Sequence, residues 1–183
     1  LILSTLLIAT FSCFQAQANT KNISNETHYR TAEVDVNLTY FNKKKVSLHI
    51  RIPSQQAYGF NGKSTNAEQD EKVNGVIDGF KLNIAKIVSF GNGCTYEVGG
   101  IEKFADAFEK SSEYKNGELK KVKTEYWVFE SNIFISCNRD LNNQNIYLSF
   151  DKYFKDIDRI SVRLNSDKKR DFIISSPNGN FKL

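Results

Sequence analysis

The sequence predicts an α+β fold: a mainly antiparallel β-sheet or sandwich with one long amphipathic helix packed on it. Three observations predict it. Runs rich in β-branched and aromatic residues recur with a period of two, the strongest being Tyr126 to Cys137, YWVFESNIFISC. One long run alone, Val73 to Val88, has the period of a helix. Gly, Asn and Lys clusters separate the runs, with no internal repeat and no interdomain linker.

The chain has 183 residues and no Met. Its first stretch, LILSTLLIATFSCFQAQA, is uncharged and too short to span a bilayer comfortably. It ends in Ala16-Gln17-Ala18, the small-x-small pattern of a signal-peptidase site. Residues 1–18 are therefore expected to be a secretory signal peptide cleaved before Asn19. A buried N-terminal strand is one alternative. A lipid anchor on Cys13 is another, although Thr-Phe-Ser before it lacks the Leu that a lipid-attachment box prefers. Residues 19–29 are polar and aperiodic, expected as a flexible lead-in, which leaves 30–183 as a single β-rich domain without membrane insertion.

Val34, Val36 and Leu38 alternate with Glu33, Asp35, Asn37 and Thr39; Val46, Leu48, Ile50 and Ile52 alternate with Ser47, His49 and Arg51. Around a turn near Phe41-Asn42-Lys43 these form a hairpin with one polar face. Core must oppose core, so two even registers remain: Asp35 opposite His49, or Asp35 opposite Arg51 with Asn37 opposite His49. Pro53 ends the second strand, and Gln55 to Asn66 reads as a loop carrying Tyr58 and Phe60. Thr65 and Glu68 form a capping box for the helix. Its stripe is Val73, Val76, Ile77, Phe80, Ile84, Ile87 and Val88. Gly75 and Gly79 each cost it about 1 kcal/mol relative to Ala, so it depends on docking. Cys94 to Val98 is a short strand closed by Gly99-Gly100. Glu102 to Lys123 is charged and reads as a solvated loop or hairpin tip, with a short helix around Phe104 to Phe108 and a turn at Asn116-Gly117. In the strand Tyr126 to Cys137, the residues Trp127, Phe129, Ile133, Ile135 and Cys137 share the core face. Strands around Ile146 to Phe150, Ile160 to Leu164, Phe172 to Ile174 and at the C-terminus complete the set, with a helical corner at Tyr153-Phe154.

The net charge of +4 is mild and interspersed, which argues against nucleic acid. Two histidines, His28 and His49, and no Gly-x-Ser-x-Gly elbow leave no serine-hydrolase pattern. No carboxylate pair stands out, and no glycine loop cradles phosphate. The chain is not expected to be an enzyme. Past the signal two cysteines remain, Cys94 and Cys137, expected as a disulfide in an exported protein, with two buried thiols as the alternative. For a metal, His28, Asp35 and His49 are the candidate ligands, on the polar face of the first hairpin.

The order of features resembles one family. TAEVDVNLTYFNKKKVSLHIRIPS leads to Pro53, with Gly59-Phe60 six and seven residues on. An amphipathic helix follows, then Cys94 near a strand's start, Cys137 at a strand's end, and YFKDIDRISVRL from Tyr153 to Leu164. This is similar to the ZrgA family of zinc-regulated periplasmic proteins, secreted and tied to zinc uptake in Gram-negative bacteria. The resemblance implies a periplasmic, non-enzymatic accessory protein, with zinc as its metal and a metal-transport component as partner. The departures concern ligands. Family members carry a histidine-rich tract between the cysteine strands; here Glu102 to Lys123 has no His. Asn61 and Gly62 stand where a Glu and a His commonly follow Gly-Phe, and Tyr126 near a family His. The resemblance therefore implies metal binding weakened, lost or moved to carboxylates and the two remaining histidines. The alternative is a β-rich interaction module of the cell envelope that binds no metal.

Overall fold

The first hairpin lies at the centre of the molecule. In the computed structural model, which describes residues 32–115, 117–166 and 169–183 (backbone only at 109–115 and 122–124), β1 (Glu33–Asn42) pairs with β2 (Lys45–Pro53). Asp35 lies opposite Arg51 and Asn37 opposite His49, the second of the two even registers. Ser54–Tyr58 is a short helix, α1, and Ala67–Ile87 the long one, α2. The remaining strands are β3 (Val88–Ser89), β4 (Cys94–Lys115), β5 (Glu118–Cys137), β6 (Asn145–Ser149), β7 (Arg159–Asn165), β8 (Arg170–Ile174) and β9 (Asn178–Lys182).

Six strands form one sheet in the order β4-β5-β2-β1-β7-β8, and three form a second, β3-β6-β9. The β1–β7 pair is parallel and the other pairs are antiparallel. The alternating apolar residues of β1, β2, β5 and β7 form one wall of the core, opposed by Val73, Ile77, Phe80, Ile84 and Ile87 of α2 and by Ile146 and Leu148 of β6. Phe129 joins the layers, its ring lying 4.9 Å from that of Phe80. The α+β class with a docked amphipathic helix holds. No described helix is long and apolar enough to cross a membrane.

Several local expectations change. The cap of α2 is Asn66, one residue later than expected. Its side chain accepts from Gln69 N at 2.9 Å, while Gln69 Oε1 accepts from Thr65 N at 2.8 Å. Val88 belongs to β3, because the chain extends there to pair with Leu148. The loop after Pro53 begins as α1, which turns Tyr58 into the core. Trp127 is only half-buried, and Val128 on the opposite face is buried.

The largest change is at Glu102 to Lys123. No helix forms around Phe104 to Phe108, and Gly99-Gly100 does not end the strand. Pairing between β4 and β5 runs from Cys94–Cys137 to Lys115–Glu118, slipping at two bulges, between Val98 and Ile101 and between Glu102 and Ala105. Glycine tolerates the bulge geometry, so the ladder continues through it. The turn contains Gly117 at φ 78°, as a tight hairpin requires. Cys94 and Cys137 are joined as a disulfide across directly opposed positions of the hairpin's base. The expected signal peptide, the lead-in and His28 lie outside the described residues.

Candidate functional site

Strand alternation that buries Val46, Leu48, Ile50 and Ile52 turns Ser47, His49 and Arg51 outward. The same logic turns Glu130, Asn132 and Phe134 outward from β5, and the register sets Arg51 opposite Glu130 and His49 opposite Asn132. His49 Nε2 reaches diagonally to Glu130 Oε1 at 2.7 Å. Arg51 Nε lies 3.2 Å from Glu130 Oε2. One carboxylate thus joins an imidazole and a guanidinium, with the three side chains 20–31% exposed.

On the far side of Glu130, the β4 bulge opens a shallow hollow of about 330 Å³ lined by Gly100, Ile101, Glu102, Glu130 and Asn132. Register puts Glu102 directly opposite Glu130. The row Glu102, Glu130, Arg51, Asp35 therefore crosses four strands with charges in the order minus, minus, plus, minus. Glu33 and Arg159 add a further pair at the head of β1, at 3.5 Å.

Such an arrangement can present oxygen and imidazole donors to a cation, yet the donors are committed. Tight structural or catalytic zinc sites take three or four protein ligands. Among the described residues no three His, Cys, Asp or Glu side chains converge on one point. Of the sequence-derived candidates, His49 lies in the cluster. Asp35 is one strand further on, opposite Arg51 instead of beside His49, and His28 lies outside the described residues. Sequence reasoning did not single out Glu130 or Glu102. Glu130 is the sole charged residue on the outward face of Tyr126 to Ser136, a signal that could have marked it. Glu102 could not be placed without the bulge.

The shifted side chains lie elsewhere and are structural. Burial raises the phenol of Tyr58, whose hydroxyl donates to Lys103 O at 2.8 Å. Burial likewise raises Tyr96, whose oxygen accepts from Phe90 N at 2.9 Å.

No curated protein matches the chain. The family model described as ZrgA family zinc uptake protein matches residues 28–183, spanning both cysteines, the helix and the whole of both sheets. That family is one of zinc uptake and not of enzymes, and its match agrees with the order of motifs from Thr31 to Leu164. The chain belongs to the ZrgA family of zinc uptake proteins.

Proposed function

We propose that this protein is an exported, non-enzymatic accessory of zinc uptake working in the periplasm, and that it holds zinc weakly through His49 and Glu130. The observation that carries the reading is the His49–Glu130 contact of 2.7 Å within a scaffold matched to the zinc-uptake family. The Cys94–Cys137 disulfide fits an oxidising compartment. Weak binding follows from competition: Arg51 shares the carboxylate, so the ion must displace a favourable pair before it gains a ligand. Glu102, opposite Glu130 in register and lining the same hollow, is a further carboxylate to add. His28 and Asp35 are the candidates from sequence to complete the set.

Equilibrium dialysis of the purified protein against Zn²⁺ tests this. Half-saturation is expected at tens of micromolar, with binding lost in His49→Ala and tightened in Arg51→Gln, which frees Glu130. Absence of binding in this range, or binding indifferent to His49→Ala, would leave the family assignment standing and remove the site.

A second reading is favoured by the hairpin beyond Val128, where among the described strands β5 pairs with β4 alone and Leu119 is 60% exposed. On that reading the hairpin tip docks onto a protein of the cell envelope, and removing the tip abolishes capture of that protein while leaving zinc binding intact.

A further inference from the structure

One end of the molecule carries the chain's excess positive charge. The turn from β1 to β2 meets the segment after β5 there: Lys43 O accepts from Leu141 N at 2.7 Å, and Lys44 O from Cys137 N at 2.9 Å. The start of β8 and the end of β9 join them, since Arg170 Nη2 lies 3.5 Å from Lys182 O and Asn143 N donates to Leu183 O at 3.0 Å. Tyr40, near the end of β1, lies within electrostatic reach of both Asp140 and Arg170. Lys43, Lys44 and Lys45 are all exposed at the turn. Arg139 is exposed beside them, and so are Lys169, Arg170 and Lys182. Against these seven cations stands Asp140, 3.9 Å from Lys43 Nζ, while Asp171 further along β8 is paired with Arg163 at 3.4 Å. Lys and Arg exceed Asp and Glu by four over the whole chain, 25 against 21, and by six at this end, seven against one. The rest of the chain is therefore slightly acidic. Phe41 stands beside the cluster. A bulge between Tyr40 and Asn42 leaves it without a partner in the β1–β2 ladder, and it is 61% exposed.

We infer that this end docks peripherally onto the surface of an anionic lipid bilayer, with its Lys and Arg side chains against lipid phosphates and Phe41 entering the headgroup layer. Two observations favour a bilayer over a soluble anion or an acidic protein. The cations come from four separate segments and spread over one end of the fold, which suits a plane of many phosphates better than a single anion. An aromatic side chain projecting from a lysine-bearing turn gains from an apolar layer beneath the phosphates, which a bilayer has and a soluble anion lacks. The attraction is screened over about 10 Å at 0.1 M salt, so docking is reversible and salt-sensitive. β4 and β5 run away from this end, and the hairpin tip then projects from the surface. Access to a bilayer in the cell rests on the reading of an exported protein; the affinity for lipid does not, so zinc binding and vesicle binding fail independently.

Cosedimentation of the purified protein with phosphatidylcholine vesicles, with and without phosphatidylglycerol, tests the inference. Binding is expected to the vesicles that contain phosphatidylglycerol, and it should fall as salt is added. Each Lys or Arg near an anionic surface contributes about fivefold in affinity, so Lys43→Glu with Lys44→Glu should weaken binding by roughly twenty-fivefold or more. Lys120→Glu with Lys121→Glu, near the distant hairpin tip, makes the same change in net charge and should alter binding by no more than about twofold. Phe41→Ser should weaken vesicle binding several-fold and leave retention on immobilised polyglutamate unchanged, because only the bilayer has an apolar interior. All five positions are exposed, which keeps the variants folded. No binding to either vesicle, or equal binding to both, would overturn the inference. Vesicle binding indifferent to Phe41→Ser would overturn it in favour of an acidic polymer, and equal losses from the two lysine pairs would reduce it to a response to net charge.

Discussion

Near its base, from Cys94 to Val98 and from Ile133 to Cys137, the β4–β5 hairpin belongs to the sheet and the core. Beyond Val128 the same two strands leave β2 behind and, among the described strands, pair only with each other. At the base, β5 pairs with β2 along its other edge from Ser136 to Val128, and Phe129, Ile133 and Ile135 are fully buried. Past that point β2 has ended at Pro53, and the ladder to β4 is the pairing that remains. Among the described side chains, apolar burial on the outer face there is a small cluster of Ala105, Ala107 and Val128, with Tyr126 beside them. Between the halves lie both bulges, and Tyr58 fastens the second by its hydrogen bond to Lys103 O. The comparison shows two ways to make a strand. One is dictated by burial and by neighbours on both edges. The other is the continuation of a register already set.

The largest expected difference concerns the base. Replacing Cys94 and Cys137 by Ala opens a loop of sequence separation 43. In the chain-entropy account this costs about 4 kcal/mol, read as a lower urea midpoint with an altered slope as the unfolded state expands. A loss below about 1 kcal/mol would mean that burial alone fixes the base, and that the bridge contributes little to the contrast.

This difference also explains what could be read in advance. The strands around Val34, Leu48, Ile133 and Val162, and the Val73–Ile87 stripe, were legible because burial imposes a period on the sequence. The hairpin register was not, since both even registers bury the same residues; cross-strand geometry chose Asp35 opposite Arg51. The outer half of β4 was illegible because a two-stranded ribbon buries too little to demand alternation. Gly99-Gly100 there reads as a stop although it serves as a bulge. Tyr58 read as a loop residue because the one-turn helix that buries it is too short to show a period. Of the candidate site, His49 was visible as one of two histidines, whereas its partner Glu130 lies 81 residues away and is joined to it only through register.

A smaller effect is expected at the junction. Tyr58→Phe keeps the ring packing and removes the bond to Lys103 O, at about 1 kcal/mol near neutral pH. Burial raises the Tyr58 pKa above its ordinary value of 10.0, so the folded protein holds the proton where the unfolded chain releases it. The contribution is constant below that value and is lost as the pH rises above it. Urea midpoints measured from about pH 8 to about pH 11 should therefore fall less steeply for Tyr58→Phe than for the parent. Equal slopes would place the alkaline sensitivity elsewhere, for instance at Tyr96, which burial also raises.

The smallest effect on stability is expected at the tip. Lys110 pairs with Lys123, so replacing Ser111 to Val122 by Asn-Gly closes a two-residue hairpin without changing the register below it. Of the removed residues whose side chains are described, 117 to 121, none belongs to the main core. Stability should change by no more than about 0.5 kcal/mol, because a ribbon's lost ladder bonds are exchanged for bonds to water. The same variant sharpens the functional reading. If the shortened protein keeps its fold and zinc binding yet loses an envelope partner, the outer half is a docking arm grafted onto the base. If its stability collapses instead, the ribbon supports the sheet through contacts beyond Val128, and the division at Pro53 is not where the fold's stability ends.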